Sequence, residues 1–311
     1  MTSGKGSETS AIHTVGLTKY YGSHLGMEDV NLDVQKGEVF GFLGPNGAGK
    51  STTIRTLLDE IRPTSGSATI LGMDTHRDAV TIRRHIGYIP GDLALYPNLT
   101  GMDTLTFFAN MRGGVDWSYV DELADRLDSD LSRKVGDLST GNRQKVGVIQ
   151  AFMHRPDLLI MDEPTSGLDP LVQREFQKMV GEVSAEGRTV FLSSHTLSEV
   201  QRVADRVGII RNGRLITVES VAELRSKATR QVEFVLDAKA DVAAFEAVDG
   251  VRNVMVEGNH VEMSFGGDMG DLLTMATERY GIDDIKTSEA DLEEIFLTYY
   301  HEGEEEMEVR G

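Results

Sequence analysis

The 311-residue sequence is 40% hydrophobic and 26% charged, an ordinary balance for a globular chain long enough for one large domain and one smaller one. It contains no cysteine, which excludes disulfides and thiolate metal sites. Its formal charge is −19, and residues 221–311, with 8 Lys+Arg against 22 Asp+Glu, hold −14 of it, a poor surface for generic binding to nucleic-acid phosphates.

Met1–Ser10 is rich in Ser, Gly and Thr and has no apolar stretch, so it reads as a disordered tail and not as a signal peptide. Ile12–Val15 and the alternating Asp29–Val34 read as strands. Val39–Leu43 is a compact apolar strand that runs into a glycine-rich turn, and Lys50–Glu60 has helical composition. Residues 101–131 read as helical throughout. Asp157–Met161 and Thr189–Leu192 are apolar runs of the kind found in parallel sheets buried on both faces, so residues 11–220 alternate strands and helices as one α/β domain. Apolar runs such as Leu158–Met161 and Val207–Ile210 are strand-sized, far short of the ~18 residues that cross a bilayer.

Past residue 220 the pattern changes. A strand (Gln231–Leu236), a helix (Lys239–Val248), a hairpin (Val251–Phe265, turning at Gly258-Asn259), a helix (Met269–Tyr280), a strand (Ile282–Thr287) and a last helix (Glu289–Tyr300) predict a small α+β domain over 221–300. That order is the ferredoxin-like one. Residues 301–311 read as a disordered acidic tail.

Gly44-Pro45-Asn46-Gly47-Ala48-Gly49-Lys50-Ser51 matches G-x-x-x-x-G-K-[ST], between a strand and a helix. Gly44, Asn46, Gly47 and Gly49 let the backbone curl with its N–H groups inward, and the helix that begins at Lys50, Ser51 and Thr52 adds the positive end of its dipole. In such a loop Lys50 reaches the β- and γ-phosphates of a nucleoside triphosphate and the Ser51 hydroxyl ligates Mg²⁺. Downstream, the apolar strand Leu158–Met161 ends in Asp162-Glu163. An Asp at a strand end holds Mg²⁺ in P-loop enzymes, and Glu163, one residue further, is placed to accept a proton from the attacking water.

Asp162-Glu163-Pro164-Thr165, followed by Ser166-Gly167-Leu168-Asp169, resembles the Walker B segment and D-loop of ABC ATPases. Leu138-Ser139-Thr140-Gly141-Asn142-Arg143-Gln144 resembles the signature of that family, Ser193-Ser194-His195 its switch histidine, and Tyr20-Tyr21-Gly22 its adenine-stacking loop, with Tyr21 as the stacking residue. The motifs occur in family order over roughly residues 11–220. The resemblance implies a P-loop NTPase fold with an N-terminal antiparallel β subdomain and a helical subdomain. It implies ATP as the nucleotide, Mg²⁺ as the cation and hydrolysis as the activity. Two such domains would sandwich ATP head to tail: Ser139 and Gly141 of one would bind the γ-phosphate held by the other's P-loop. Asp169 would lie across that interface, and His195 would hold the γ-phosphate or orient the attacking water.

Two departures from the family pattern stand out. Where a glutamine is usual after Gly87-Tyr88-Ile89-Pro90, this chain has Gly91 and then Asp92, which could serve instead as a metal-side ligand. In the signature, Thr140 and Asn142 replace Gly and Gln. That variant, Gly141–Lys145, and the segment Leu292–Tyr300 resemble the two-component exporter branch that moves drugs, antibiotics, polysaccharides, lipids or sodium. The resemblance therefore implies a transmembrane permease and a second ATPase subunit as partners, with the chain peripheral on the cytoplasmic face of the membrane. A DNA-repair or chromosome ATPase would need a long coiled-coil insertion before the signature, a translation factor two ATPase cores, and a GTPase a guanine-reading Asn/Thr-Lys-x-Asp. This sequence has none of these.

Overall fold

The computed structural model describes residues 9–227 and 230–288. The chain divides into two compact units, Met1–Glu219 and Ser220–Gly311. In the first, the elements in chain order are β1 (Ser10–Tyr21), β2 (His24–Val30), β3 (Asp33–Gln35), β4 (Val39–Leu43), α1 (Lys50–Leu57), β5 (Ser65–Ile70), β6 (Met73–Asp74), α2 (Ala79–His85), β7 (Ile86–Ile89), α3 (Gly101–Met111) and α4 (Trp117–Arg126). There follow α5 (Thr140–Phe152), β8 (Leu158–Asp162), α6 (Pro170–Ala185), β9 (Thr189–Ser194), α7 (Leu197–Val200), β10 (Arg206–Arg211) and β11 (Arg214–Ser220).

Two sheets result. One has the order β2-β1-β5-β6 with β3 also on β1, and the antiparallel pairs β1–β2, β1–β3 and β1–β5 build it. The other has the order β11-β10-β4-β9-β8-β7, and its strands from β10 to β7 run parallel. Every residue of β4, β8 and β9 is buried, as the continuous apolar runs require. Ile12, Val34 and Ile70 of the first sheet share one core with Phe40, Phe42, Ile160 and Phe191 of the second and with Ile54 and Leu57 of α1. Phe191 sits at its centre, stacked on Phe40 at 5.7 Å and tilted on Phe42 at 5.4 Å between ring centroids.

The second unit contains α8 (Val221–Lys227), β12 (Arg230–Leu236), α9 (Val242–Glu246), β13 (Val251–Glu257), β14 (His260–Phe265), α10 (Met269–Arg279) and β15 (Ile282–Thr287). Its sheet order is β13-β14-β12-β15, antiparallel at each pairing. The hairpin turns at Gly258-Asn259, with Glu257 opposite His260. Val232, Phe234 and Leu236 pack against Phe245 of α9 and Leu272 and Ala276 of α10 in a core of their own.

Several sequence expectations are corrected. Ser10 is not tail: it is buried in β1, and its hydroxyl donates to Asp33 at 2.7 Å. Residues 101–131 are two helices, because Gly113 and Gly114 take left-handed φ of +85° and +112° and stop α3. Asp29–Val34 splits into the end of β2 and the start of β3, with Asp29 at φ +50°. The helix expected over Lys50–Glu60 ends at Leu57, and that over Lys239–Val248 shrinks to α9 because the Asp241 carboxylate caps it from Ala243 N–H. The helix Glu289–Tyr300 and the tail 301–311 lie outside the described residues.

Candidate active site

The C-terminal ends of β4, β8 and β9 lie side by side in the parallel sheet, with Leu43 opposite Ser194 and Asp162 opposite Ser193. From β4 the chain turns into α1 through a loop in which Gly47 and Gly49 adopt φ of +81° and +110°, a region that residues with a Cβ avoid. Gly49 caps α1 without a side-chain acceptor, so the first-turn N–H groups stay available to an anion. Lys50, 5% exposed, donates from Nζ to the carbonyl oxygens of Gly44 (2.6 Å) and Pro45 (3.2 Å). Its ammonium also lies 3.2 Å from Glu163 Oε1. That oxygen is buried and takes no hydrogen bond among the described residues, so the contact is purely ionic.

Glu163 has φ +51°, a strained backbone for a residue with a side chain. It is held there by β9, since its N–H donates to both the carbonyl and the hydroxyl of Ser193, each at 3.2 Å. The same hydroxyl donates to Asp162 Oδ1 at 2.5 Å. Oε2 of Glu163 lies 2.8 Å from His195 Nδ1. A continuous line of contacts therefore runs from Lys50 through Glu163 to His195.

Tyr21, Asn46, Gly47, Gly49, Lys50, Ser51, Thr52, Asp92, Asp162 and Glu163 line one cleft of about 740 Å³. Gly44 backs it through the bond to Lys50. The ring of Tyr21 has the Lys19 ammonium 5.3 Å from its centroid. Ser139, Gly141 and Asp169 are not among the lining residues. Ser139 caps α5 by accepting the Asn142 N–H at 3.3 Å, and Asp169 caps α6 by accepting from Leu171 (3.0 Å) and Val172 (3.1 Å). A Cβ at Gly141 would come within 2.4 Å of the Gly167 carbonyl, so the signature turn presses on the D-loop and only glycine fits.

At the position where glutamine is usual in the family, Gly91 backs directly onto Asp162: a Cβ there would stand 3.0 Å from Asp162 Oδ2. Asp92, next along, is exposed in the cleft. Ser51, Asp162 and Asp92 bring to the cleft oxygen ligands of the kind that a hard divalent cation takes. No group of three or more His, Cys, Asp or Glu that could hold a metal ion occurs among the described residues.

Two residues had no role assigned from the sequence. Ser193 donates to the Asp162 carboxylate and accepts the Glu163 backbone N–H, and its only sequence signal is a hydroxyl at the end of an apolar strand. Tyr88 of β7 lines the cleft half-buried, and burial, with the Glu60 and Asp162 charges adding, pushes its phenol well above the usual range.

The sequence profile of the ABC transporter family matches residues 27–166. The bacitracin transport ATP-binding protein of Bacillus licheniformis is 36% identical over 297 residues, covering 93% of this chain and 97% of that one. The protein of the same name from Enterococcus faecalis is 34% identical over 92% of this chain and 94% of its own length. The chain belongs to the ATP-binding proteins of ABC transporters. A solved ATP-binding subunit of an ABC transporter superposes on it with a TM-score of 0.64 at 32% identity, over 70% of this chain and 92% of that one. A dimeric bacterial ABC transporter cassette shares the fold at 24% identity, with a TM-score of 0.63 over 68% of this chain. As an ABC ATPase subunit the chain binds and hydrolyses ATP. No helix among the described residues is long and apolar enough to cross a membrane.

Proposed function

We propose that this ABC ATPase powers an exporter of antibiotic-like compounds, docked as a peripheral subunit on the cytoplasmic side of a separate transmembrane permease. Similarity over nearly the whole chain to two bacitracin transport ATP-binding proteins supports that cargo class. Two ATPase subunits, this chain with a second copy or a related one, close over ATP. Tyr21 stacks on adenine, the Gly44–Thr52 segment wraps the phosphates, and Lys50 exchanges its loop carbonyls for γ-phosphate oxygens. Ser51, Asp162 and Asp92 would hold Mg²⁺, which when bound neutralises charge between the β- and γ-phosphates. Glu163 takes a proton from water as its oxygen attacks the γ-phosphorus. The bond to the β–γ bridging oxygen breaks, and ADP and phosphate leave. His195 steadies Glu163 and faces the same phosphate.

The observation that carries this reading is the Lys50–Glu163–His195 line, at 3.2 Å and 2.8 Å, whose first two members line one nucleotide-sized cleft while His195 reaches it through Glu163. Ser139 and Gly141, whose motif position matches the family's signature, would serve the cleft of a second subunit. Glu163→Gln in the full chain is expected to keep ATP affinity while hydrolysis falls about 10²–10⁴-fold. Unchanged turnover in that variant removes Glu163 as the base, and full-rate hydrolysis by dilute monomers contradicts the shared site.

A further inference from the structure

Beyond the cleft, one carboxylate ties together the two loops that carry the base and the histidine. Glu199 lies on α7, four residues after His195, and is half-buried. Its Oε2 accepts from the Thr165 hydroxyl at 2.8 Å and from the Ser194 hydroxyl at 3.1 Å. Thr165 follows Glu163 by two residues in the turn after β8, and Ser194 immediately precedes His195 at the end of β9. Both hydroxyl-bearing residues are buried, Thr165 at 8% and Ser194 at 1% exposure. The Ser194 hydroxyl also accepts the Thr196 N–H at 3.0 Å, so it fixes the backbone on both sides of His195. On the other arm, the Thr165 carbonyl takes the Gln173 side-chain amide from α6 at 3.4 Å, which continues the network toward the helix capped by Asp169.

We propose that Glu199 is a positioning residue for hydrolysis, a single oxygen that sets the loop of Glu163 against the loop of His195. This rests on the assignment of Glu163 and His195 to the chemistry. A half-buried carboxylate accepting two hydroxyl protons forms charge-assisted bonds, roughly twice as strong as neutral ones. The Thr165 bond spans 34 residues and the Ser194 bond only five, so together they tie the turn after β8 to the end of β9. Misplacement of a catalytic group by ~1 Å is enough to cost about 10²-fold in rate. The 2.8 Å contact between His195 and Glu163 is the geometry that Glu199 protects.

The test is steady-state ATPase kinetics of the full chain with Glu199→Ala, Glu199→Gln, Thr165→Val and the Thr165→Val/Glu199→Ala pair, with Glu163→Gln alongside. Glu199→Ala is expected to lower kcat about 10- to 100-fold while KM for ATP changes little. Glutamine keeps an acceptor oxygen in the same place and is expected to recover most of the rate. The double variant is expected to be no slower than Glu199→Ala alone, because both changes break one link. Should Glu199→Ala fail to fold, Thr165→Val carries the same test, since it removes one arm and keeps the carboxylate. Wild-type kcat in Glu199→Ala, a Gln variant as slow as Ala, or a purely additive pair each overturns the proposal. If Glu163→Gln hydrolyses at the wild-type rate, the underlying assignment fails instead, and the two failures are told apart in one experiment.

Discussion

The two units obey the same packing rules and differ in what their sheets leave at the edge. In the first, β4, β8 and β9 run parallel, so Leu43, Asp162 and Ser194 all finish at one edge, and loops leave them together. Ligands bind outside the carboxyl ends of such strands, because polar loop groups converge there above a dry core. In the second unit the strands alternate in direction, and β12 alternates by face: Val232, Phe234 and Leu236 point to the helices while Gln231, Glu233 and Val235 point away. Neighbouring strands there end on opposite edges, so among the described residues the strand ends are divided between two edges. Chemistry in this chain follows strand direction more than composition: both units are rich in carboxylates, and the first brings Asp162 and Glu163 to the lysine of a phosphate-binding loop.

Cutting each core is the strongest way to break that comparison. Phe191→Ala and Phe234→Ala each remove a fully buried ring and are expected to cost about 3–5 kcal/mol of stability. In denaturant titrations at matched native fraction, Phe191→Ala lowers ATP affinity, because β9 carries Ser193. Phe234→Ala leaves it at the wild-type value. Loss of ATP binding in Phe234→Ala would place part of the site in the second unit.

A smaller change sharpens the account of the signature turn. Gly141→Ala forces a methyl toward the Gly167 carbonyl and is expected to cost about 1–3 kcal/mol, with hydrolysis falling more than nucleotide affinity. A variant with wild-type stability and rate would mean that the signature and D-loop turns do not press on each other.

The smallest expected effect is in pH dependence. His154 contacts the Ile86 carbonyl through Nε2 at 3.1 Å, and burial, helped by the Arg112 charge, lowers its pKa to about 4 from the ordinary 6.5. Upon acidification the unfolded chain takes the proton first, so stability drains away as pH falls from 6.5 toward 4, by up to about 1.4 kcal/mol per pH unit. His154→Gln keeps the bond to Ile86 without the titration. Its unfolding free energy, followed against pH, is expected to lose that component, and a slope identical to wild type contradicts the assignment.

Those expectations draw on features that differed in how far they could be read ahead. The P-loop was legible because glycines at fixed spacing, a lysine and an apolar strand leave few alternatives for the backbone. Asp162-Glu163 was legible because an apolar run meeting two carboxylates marks a buried strand's end, with Asp162 its last buried residue. Helix limits were less so: the Gly113-Gly114 stop was overridden by helical composition on both sides. The tie from Thr165 to the carboxylate that also takes Ser194 was not legible, because an acceptor 34 residues away leaves no periodicity. Nor was the approach of Gly141 to Gly167, or of Gly91 to Asp162, since a missing Cβ announces flexibility but not which neighbour needs the space.

Because the chain has no cysteine, introduced thiols report cleanly on which surfaces meet. Chains carrying only Asn46→Cys, mixed with chains carrying only Ser139→Cys, both in a Glu163→Gln background, can be treated with a short bis-maleimide with and without Mg-ATP. Abundant cross-linked heterodimer that appears only with nucleotide is the expected result, since the phosphate loop of one chain then faces the signature of the other. Absence of any cross-link with ATP bound, or equal yield without it, would contradict a site shared between two chains.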